Sequence, residues 1–189
     1  MSLKIIAGQF KGRLLKTPKG STTRPSQSML REALFNICQD CIADTSFLDL
    51  FAGSGAIGFE ALSRGASHVT FVEKDKGAIQ CIRENIALLK VETEAILYPV
   101  DYRVALKRLH KDQTRFDIVY VDPPYRQQIE PILEDLIRSD VLKPSSLLLV
   151  EQHSLHPKTY SAPGIGCINT RKFGDAVLQQ YNVSDTKKL

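Results

Sequence analysis

The chain has 189 residues, of which 43% are hydrophobic and 24% are charged, as expected for one globular domain with at most a small appendage. No apolar run approaches the roughly 18 residues that a membrane span requires. The first residues also lack the apolar core of a signal peptide. These features predict a cytoplasmic protein that has no membrane partner.

The net charge of +4 is unevenly distributed along the chain. Residues 1–37 carry seven basic side chains and one acidic side chain, whereas the remainder is slightly acidic. Such asymmetry favours a polyanionic partner for the N-terminal segment. A basic hairpin that is simply solvated would give the same charge pattern.

The N-terminal segment predicts a small hairpin followed by a helix. Short apolar pairs alternate with Gly8 and Gly12, which is typical of two short strands with tight turns. Leu30 and Leu34 then follow at helical spacing in "SQSMLREALFNIC". We assign residues 1–40 to a basic N-terminal arm that packs on the rest of the chain.

Cys38 and Cys41 form a C-x-x-C pair near the end of this predicted helix. No second pair exists to complete a zinc site, because the other two cysteines, Cys81 and Cys167, are isolated. Small buried residues are common at such helix ends. We therefore predict reduced structural cysteines and no metal.

From residue 45 onward, apolar strand-like runs alternate with helical patterns. This alternation predicts an α/β domain over residues 41–189 with a doubly wound, mostly parallel sheet. The final stretch, "GCINTRKFGDAVLQQYNV", predicts two strands joined at Gly174-Asp175. The sheet is therefore expected to end in an antiparallel hairpin.

A glycine-rich loop, "DLFAGSGAIG", separates the first strand of this domain from the helix that follows. In the spacing Gly53-x-Gly55-x-x-Gly58, the first glycine would permit a tight turn and the second a close approach to a ligand. The third would permit close packing of helix on strand. Glu73 ends the next strand and could accept hydrogen bonds from ribose hydroxyls. Both NAD and S-adenosylmethionine satisfy this pattern.

Asp49 favours S-adenosylmethionine over NAD. A carboxylate beside the glycine loop would repel a pyrophosphate, whereas it suits the cationic amino end of S-adenosylmethionine. The alternative is that Asp49 caps the backbone amides of its own loop.

The stretch "VDPPY" raises a second chemical question, because Asp122, Pro123, Pro124 and Tyr125 directly follow a strongly apolar strand. The prolines end the strand and fix the backbone. The Asp122 carboxylate and the Pro123 carbonyl could then accept both N–H groups of a nucleobase amine, while Tyr125 stacks on the base. The alternative is a buried turn in which Asp122 caps the next helix.

These motifs carry a family resemblance. "DLFAGSG", Glu73 and "DPPY" resemble the class I S-adenosylmethionine-dependent amino-methyltransferases. "IIAGQFKGRLLKTP", "TRPS", "REALFNI" and "GFEALSRGA" resemble a narrower group, the bacterial 16S ribosomal RNA guanine-N2 methyltransferases of the RsmD type. This resemblance extends over nearly the whole chain, and the motifs of the arm are its most specific part.

The resemblance implies a Rossmann-like, seven-stranded sheet whose last strand is reversed. It also implies an enzyme that uses S-adenosyl-L-methionine to methylate a guanine in 16S rRNA, within an assembled or assembling small subunit. The implied cofactor-binding residues are Asp49, Phe51, Gly53, Gly55, Glu73 and Asp101, with Asp101 at the adenine. The implied catalytic residues are Asp122, Pro123, Pro124 and Tyr125. The implied RNA-binding residues are Lys11, Arg13, Lys16 and Arg24.

Two positions depart from the family pattern. Family members often have an Asp-Arg pair where this chain has Ser28-Met29, so one expected basic contact is missing. The position of Asp101 also varies among relatives.

Other functions remain open at this point. A DNA adenine-N6 or cytosine-N4 methyltransferase would use the same amine clamp, although 189 residues leave little room for a DNA-recognition domain. An NAD-dependent oxidoreductase would leave "DPPY" unexplained, and an RNA-binding assembly factor without catalysis would leave both motifs unused. We expect a monomer.

Overall fold

The structure is a computed structural model, and it describes residues 3–18, 25–124, 127–155 and 157–184. The N-terminal arm contains β1 (Leu3–Lys4), β2 (Leu14–Leu15) and α1 (Pro25–Cys38). The remaining elements, in chain order, are β3 (Ser46–Asp49), α2 (Ala56–Ser63), β4 (His68–Val72), α3 (Lys76–Leu89), β5 (Ala95–Tyr98), α4 (Tyr102–Lys111), β6 (Phe116–Val121), α5 (Ile129–Arg138), β7 (Leu142–His153), β8 (Ser161–Ala162), β9 (Ile165–Phe173) and β10 (Ala176–Val183).

The central sheet confirms the predicted fold class. Its strand order is β5-β4-β3-β6-β7-β10-β9-β8, and the first five strands are parallel. The last strand, β10, runs antiparallel to both β7 and β9. One difference from the prediction is the eighth strand, β8, which pairs with β9 through two residues only. Two residues are too few to show a hydrophobic period, so no sequence pattern could reveal this strand.

Both faces of the sheet are covered, as is typical of parallel sheets. Alternate residues of β6 enter opposite cores: Ile118 and Tyr120 pack on the side of α1, α2 and α3. Val119 and Val121 pack on the side of α4 and α5. Because both faces of β6 are buried, its sequence is continuously apolar, and its carboxyl end lies between the two cores.

The arm is attached to the domain by a buried carboxylate. Glu60 on α2 is 0% exposed, and its two oxygens accept the backbone N–H groups of Ile6 at 2.7 Å and Ala7 at 2.9 Å. Arg64 Nε also donates to Glu60 Oε1, at 2.8 Å. Three donors thus satisfy one buried charge, as burial of a carboxylate requires.

The arm also shares the core of the domain. Leu3, Ile5 and Leu15 are buried in the cluster that contains residues of α1 and α2. The backbone N–H of Lys16 donates to Asn85 Oδ1 on α3 at 2.8 Å. The arm therefore packs on the domain as expected, while the proposed domain boundary near residue 40 stays a prediction.

No described helix is both long and apolar enough to cross a bilayer. Cys38 lies in the core, Cys41 is exposed, and all four cysteines are free thiols. Within the described ranges, His, Cys, Asp and Glu side chains form no group of three or more that could hold a metal ion.

Candidate active site

Acidic side chains gather at the carboxyl edge of the parallel strands. Each belongs to a different strand or to the residues directly after it, and parallel strands bring these ends to one edge of the sheet. The acids are Asp49 of β3, Glu73 after β4, Asp101 after β5, Asp122 after β6 and Glu151 of β7.

The glycine loop before α2 has the predicted tight geometry, and its first two glycines both have a positive φ. Gly55 has a φ of +81°, and an added Cβ would lie 2.6 Å from the Phe59 ring, so Gly55 serves the packing of the loop. Gly53 has a φ of +53°, and an added Cβ would meet nothing within 4 Å. Gly53 is therefore the glycine that leaves open space for a ligand.

The third glycine of the loop has its predicted role. A Cβ at Gly58 would lie 2.2 Å from Cε1 of Phe71 on β4. Only glycine therefore allows α2 to pack this closely on the sheet.

Asp49 is buried, with 1% exposure, and its Oδ2 accepts the Gly58 N–H at 3.1 Å. This hydrogen bond is the one that the alternative interpretation expected, in which Asp49 caps a backbone amide near its own loop. Within the described chain, the Asp49 carboxyl accepts no other hydrogen bond. Burial raises the pKa of Asp49 to about 7; the Gly58 N–H opposes this shift and the Glu73 charge adds to it. A cation beside Asp49 would favour its ionised form.

Glu73 shapes the glycine loop as well as facing the cavity beside it. Its carboxylate accepts the backbone N–H groups of Gly53 at 2.7 Å, Lys74 at 2.7 Å and Asp75 at 2.8 Å. A carboxylate offers about four acceptor positions. Glu73 therefore has room for a further donor, and its contact with ribose hydroxyls stays a prediction.

Asp101 caps the start of α4, where its Oδ1 accepts the Arg103 N–H at 3.1 Å. Its Oδ2 lies 3.2 Å from Lys74 Nζ. The Phe51 and Tyr102 rings lie beside it, with centroids 5.3 Å apart. These residues build the apolar and charged walls of one cavity.

Three cavities meet at Asp122. The β5 cavity, of about 310 Å³, is lined by Phe51, Gly53, Glu73, Asp101 and Tyr102 among others. The α1 cavity, of about 500 Å³, is lined by Arg31, Asp49, Gly53, Tyr120 and Glu151 among others. The β7 cavity, of about 400 Å³, is lined by Gln127, Glu130, Glu151 and Lys158 among others. Asp122 lines all three.

The backbone after β6 presents Asp122 at this junction. Asp122 is partly exposed, Pro123 is buried and Pro124 is exposed. Tyr125, the fourth predicted catalytic residue, lies outside the described residues. The structure thus brings Asp122 together with the predicted cofactor-binding acids, as the position of "DPPY" at a strand end indicated.

The electrostatic potential where the three cavities meet is strongly negative. Burial, followed by the charges of Glu151 and Asp49, raises the pKa of Asp122 well above its usual range. Burial also raises the pKa of Glu151, whose Oε2 accepts the Tyr120 hydroxyl. Donor groups and cations are the ligands that such an environment favours.

Glu151 and Tyr120 were not among the candidates from sequence. The sequence does contain a signal for Glu151, because this acid follows the apolar run "SLLLV" in the same way that Asp122 follows "DIVYV". What the sequence does not show is that β7 lies directly beside β6.

Three of the four predicted RNA-binding residues lie on one exposed hairpin. Lys11, Arg13 and Lys16 are all exposed, and Arg24 lies outside the described residues. Thr17 and Pro18 follow Lys16 and line the α1 cavity, so the hairpin leads directly to the site.

Comparison with known proteins agrees with this geometry. Residues 3–182 match the family described as conserved hypothetical protein 95. Ribosomal RNA small subunit methyltransferase D of Escherichia coli (strain K12) is 37% identical over 150 residues, which are 79% of this chain and 74% of that protein. The solved structure of Escherichia coli yhhF superposes with a TM-score of 0.86 at 31% identity, covering 97% of this chain and 99% of that chain.

A more distant structure shares the fold alone. SMU.776, solved in complex with SAH, has a TM-score of 0.71 at 14% identity and covers 92% of this chain and 52% of that chain. The extent and identity of the matches above establish the family: this chain belongs to the ribosomal RNA small subunit methyltransferase D family.

Proposed function

We propose that this protein is a cytoplasmic enzyme that methylates the exocyclic N2 amine of a guanine in 16S ribosomal RNA. The observation that best supports this proposal is the position of Asp122, which the Pro123-Pro124 backbone presents where three cavities meet. The names of the relatives specify small-subunit rRNA as their substrate and do not favour a DNA methyltransferase.

The residues present fit S-adenosyl-L-methionine as the cofactor. Gly53 leaves open space at the cavity wall. Asp49 offers a buried carboxylate that accepts a single hydrogen bond from the described residues, which suits it to an ammonium group. Glu73 has room for a further donor, and the Phe51 ring suits a flat apolar group. When bound, S-adenosylmethionine supplies an electrophilic methyl group on a positively charged sulfur.

The chemistry that this chain contributes is orientation and charge stabilisation. The Asp122 carboxylate and the Pro123 carbonyl would each accept one N–H of the target amine, which aims the nitrogen lone pair at the methyl carbon. As the N–C bond formed and the bond between the methyl carbon and sulfur broke, the positive charge would pass from sulfur to the amine nitrogen, where Asp122 would stabilise it. The Asp122 carboxylate could then accept the proton that the methylated nitrogen releases.

We propose that the arm positions the RNA. Lys11, Arg13 and Lys16 are exposed on the hairpin that leads to the α1 cavity, and Arg24 follows in sequence. Such side chains contact phosphates and do not read sequence. The fold of the RNA must then present the target base, which leaves its stack to reach Asp122.

The test uses purified enzyme, radiolabelled S-adenosylmethionine and small ribosomal subunits that lack native modification, followed by nucleoside analysis. The proposal predicts label in N2-methylguanosine. Label in another nucleoside would overturn the proposed target, and no label despite measured cofactor binding would overturn the proposed substrate.

The same assay distinguishes two forms of the substrate. Because the arm is small and its contacts are to phosphates, we expect assembled or partly assembled subunits to be methylated much faster than naked 16S rRNA. Equal rates on the two substrates would contradict this expectation.

A further inference from the structure

Glu151 lies beside Asp122 on the neighbouring strand. In the parallel pairing of β6 with β7, Val121 lies opposite Val150, so Asp122 and Glu151, each one residue further, occupy matching positions. Both carboxyl groups line the α1 cavity and the β7 cavity. Side chains at matching positions of adjacent strands point to the same side of the sheet. A group held by Asp122 would therefore be within reach of Glu151.

Tyr120 fixes the orientation of the Glu151 carboxylate. The Tyr120 hydroxyl donates to Oε2 of Glu151, and the Tyr120 ring is 3% exposed. Within the described part of the chain, the Glu151 carboxylate accepts no other hydrogen bond. One oxygen is thus anchored by a buried hydroxyl, and the second remains an acceptor for a ligand.

The bases with an exocyclic amine differ in the atom next to that amine. In guanine, the N2 amine is flanked on the Watson–Crick edge by N1–H, a donor. In adenine and cytosine, the corresponding ring nitrogen beside the amine is an acceptor. An acceptor placed next to the amine site would therefore pair with guanine and oppose the other two bases.

We propose that Glu151 is the residue that selects guanine, by accepting the N1–H of the target base while Asp122 accepts its N2 amine. This inference rests on the proposed function and adds the source of its base specificity. Several base-methylating enzymes share this amine clamp, so the clamp alone does not select guanine. Glu151 would select it, because adenine or cytosine would place a ring lone pair against the Glu151 oxygen.

The test replaces the target guanine by 2-aminopurine in reconstituted small subunits. This base keeps the N2 amine, but its N1 is an acceptor. Wild-type enzyme should prefer guanine. In Glu151→Gln the Tyr120 hydroxyl retains the amide oxygen, so the amide NH₂ faces the base. We expect the ratio of kcat/KM for guanine to that for 2-aminopurine to fall by about 10- to 100-fold.

Glu130→Gln is the matched control. Glu130 lines the same β7 cavity but pairs with Lys158 at 2.8 Å, away from the position opposite Asp122. Its replacement removes the same charge and should leave the ratio unchanged. An equal fall of the ratio in both variants would show a general charge effect and overturn the assignment, as would an unchanged ratio in Glu151→Gln.

A second measurement uses only the wild-type protein, so that a folding defect cannot obscure the result. Subunits carrying inosine at the target keep N1–H but lack the amine, whereas subunits carrying unsubstituted purine lack both. Inosine subunits should inhibit about 10-fold more strongly, and equal inhibition would overturn the inference. If wild-type enzyme labels no guanine, the proposed function itself fails, so the two failures are distinguishable.

Discussion

Two kinds of buried carboxylate occur in this protein. Glu60, at the junction of arm and domain, accepts three hydrogen bonds at 2.7–2.9 Å. Asp49, at the carboxyl edge of the sheet, accepts one at 3.1 Å. Asp122 and Glu151 also lie at that edge, where burial and the charges of Glu151 and Asp49 raise the pKa of Asp122. Both regions contain carboxylates removed from water, but the number of hydrogen bonds that these carboxylates accept differs greatly.

This difference separates the part of the protein that holds the fold from the part that binds ligands. A fully hydrogen-bonded buried charge maintains one arrangement of the chain, because any movement would leave it unpaired. Under-compensated carboxylates that face cavities are poor structural elements but good acceptors for cations and donors. Substitution of a single residue should show on which side of this division that residue lies.

Asp122→Ala should give the largest effect. It removes the acceptor of the amine and of the developing positive charge, so methyl transfer should fall by roughly 10³-fold. Affinity for S-adenosylhomocysteine should change by less than about threefold, since Asp122 acts on the amine. Single-turnover rates and calorimetry on the same sample measure both quantities. A parallel loss of affinity would place Asp122 in cofactor binding instead.

Glu60→Ala should act on the fold. Removing this acceptor leaves the Ile6 and Ala7 N–H groups and the Arg64 guanidinium without their partner, at a cost of about 3 kcal/mol in the free energy of unfolding. For a chain of this size, Tm should fall by roughly 6–12 °C. Glu134→Gln is the control, because Glu134 forms an exposed pair with Arg138 and should change stability by less than about 0.5 kcal/mol.

Asp49→Asn should increase stability while reducing cofactor affinity. The pKa of Asp49 is raised from 3.8 to about 7, so the folded state binds its proton more tightly than the unfolded chain. The contribution of this group to stability is therefore present below about pH 4 and is lost as the pH rises to 7.

The asparagine variant has no such loss. Its stability relative to wild type should be greater at pH 8 than at pH 4 by roughly 4 kcal/mol, because a shift of one pKa unit corresponds to about 1.4 kcal/mol. Urea unfolding at the two pH values measures this difference. A difference that does not depend on pH would show that Asp49 is not the titrating group.

The combined change Lys11→Ala and Arg13→Ala should give the smallest effect. Both residues are exposed on the arm, so the loss should appear as a several-fold higher KM for small subunits. The slope of the logarithm of the binding constant against the logarithm of the salt concentration should become shallower by about one for each phosphate contact removed. Lys107→Ala, an exposed cation on α4, is the matched control. An equal effect in the control would mean that the arm has no special role.

The sequence predicted the features that depend on local pattern. Alternating apolar and helical runs predicted the elements, and both the glycine loop and "DPPY" were predicted to follow a strand directly. The features it did not predict depend on contacts distant in the chain. Glu60 binds residues more than 50 positions away, and the role of Glu151 depends on β7 lying beside β6.

The glycine loop shows the same limit at a finer scale. The spacing of Gly53, Gly55 and Gly58 correctly predicted a tight turn before a helix. Which glycine faces the ligand depends on where the Phe59 ring packs, and that ring occupies the space beside Gly55. The spacing alone could not distinguish a glycine needed for packing from one needed for binding.

Counting the protons released when S-adenosylhomocysteine binds tests the claim that the cavity acids serve ligands. Calorimetry at pH 7 in two buffers of different ionisation enthalpy gives this number. With a pKa of about 7, Asp49 is half protonated before binding, and the ligand ammonium group should ionise it fully. The prediction is release of roughly half a proton by wild type and none by Asp49→Asn. No release by wild type, or equal release by both proteins, would contradict the claim.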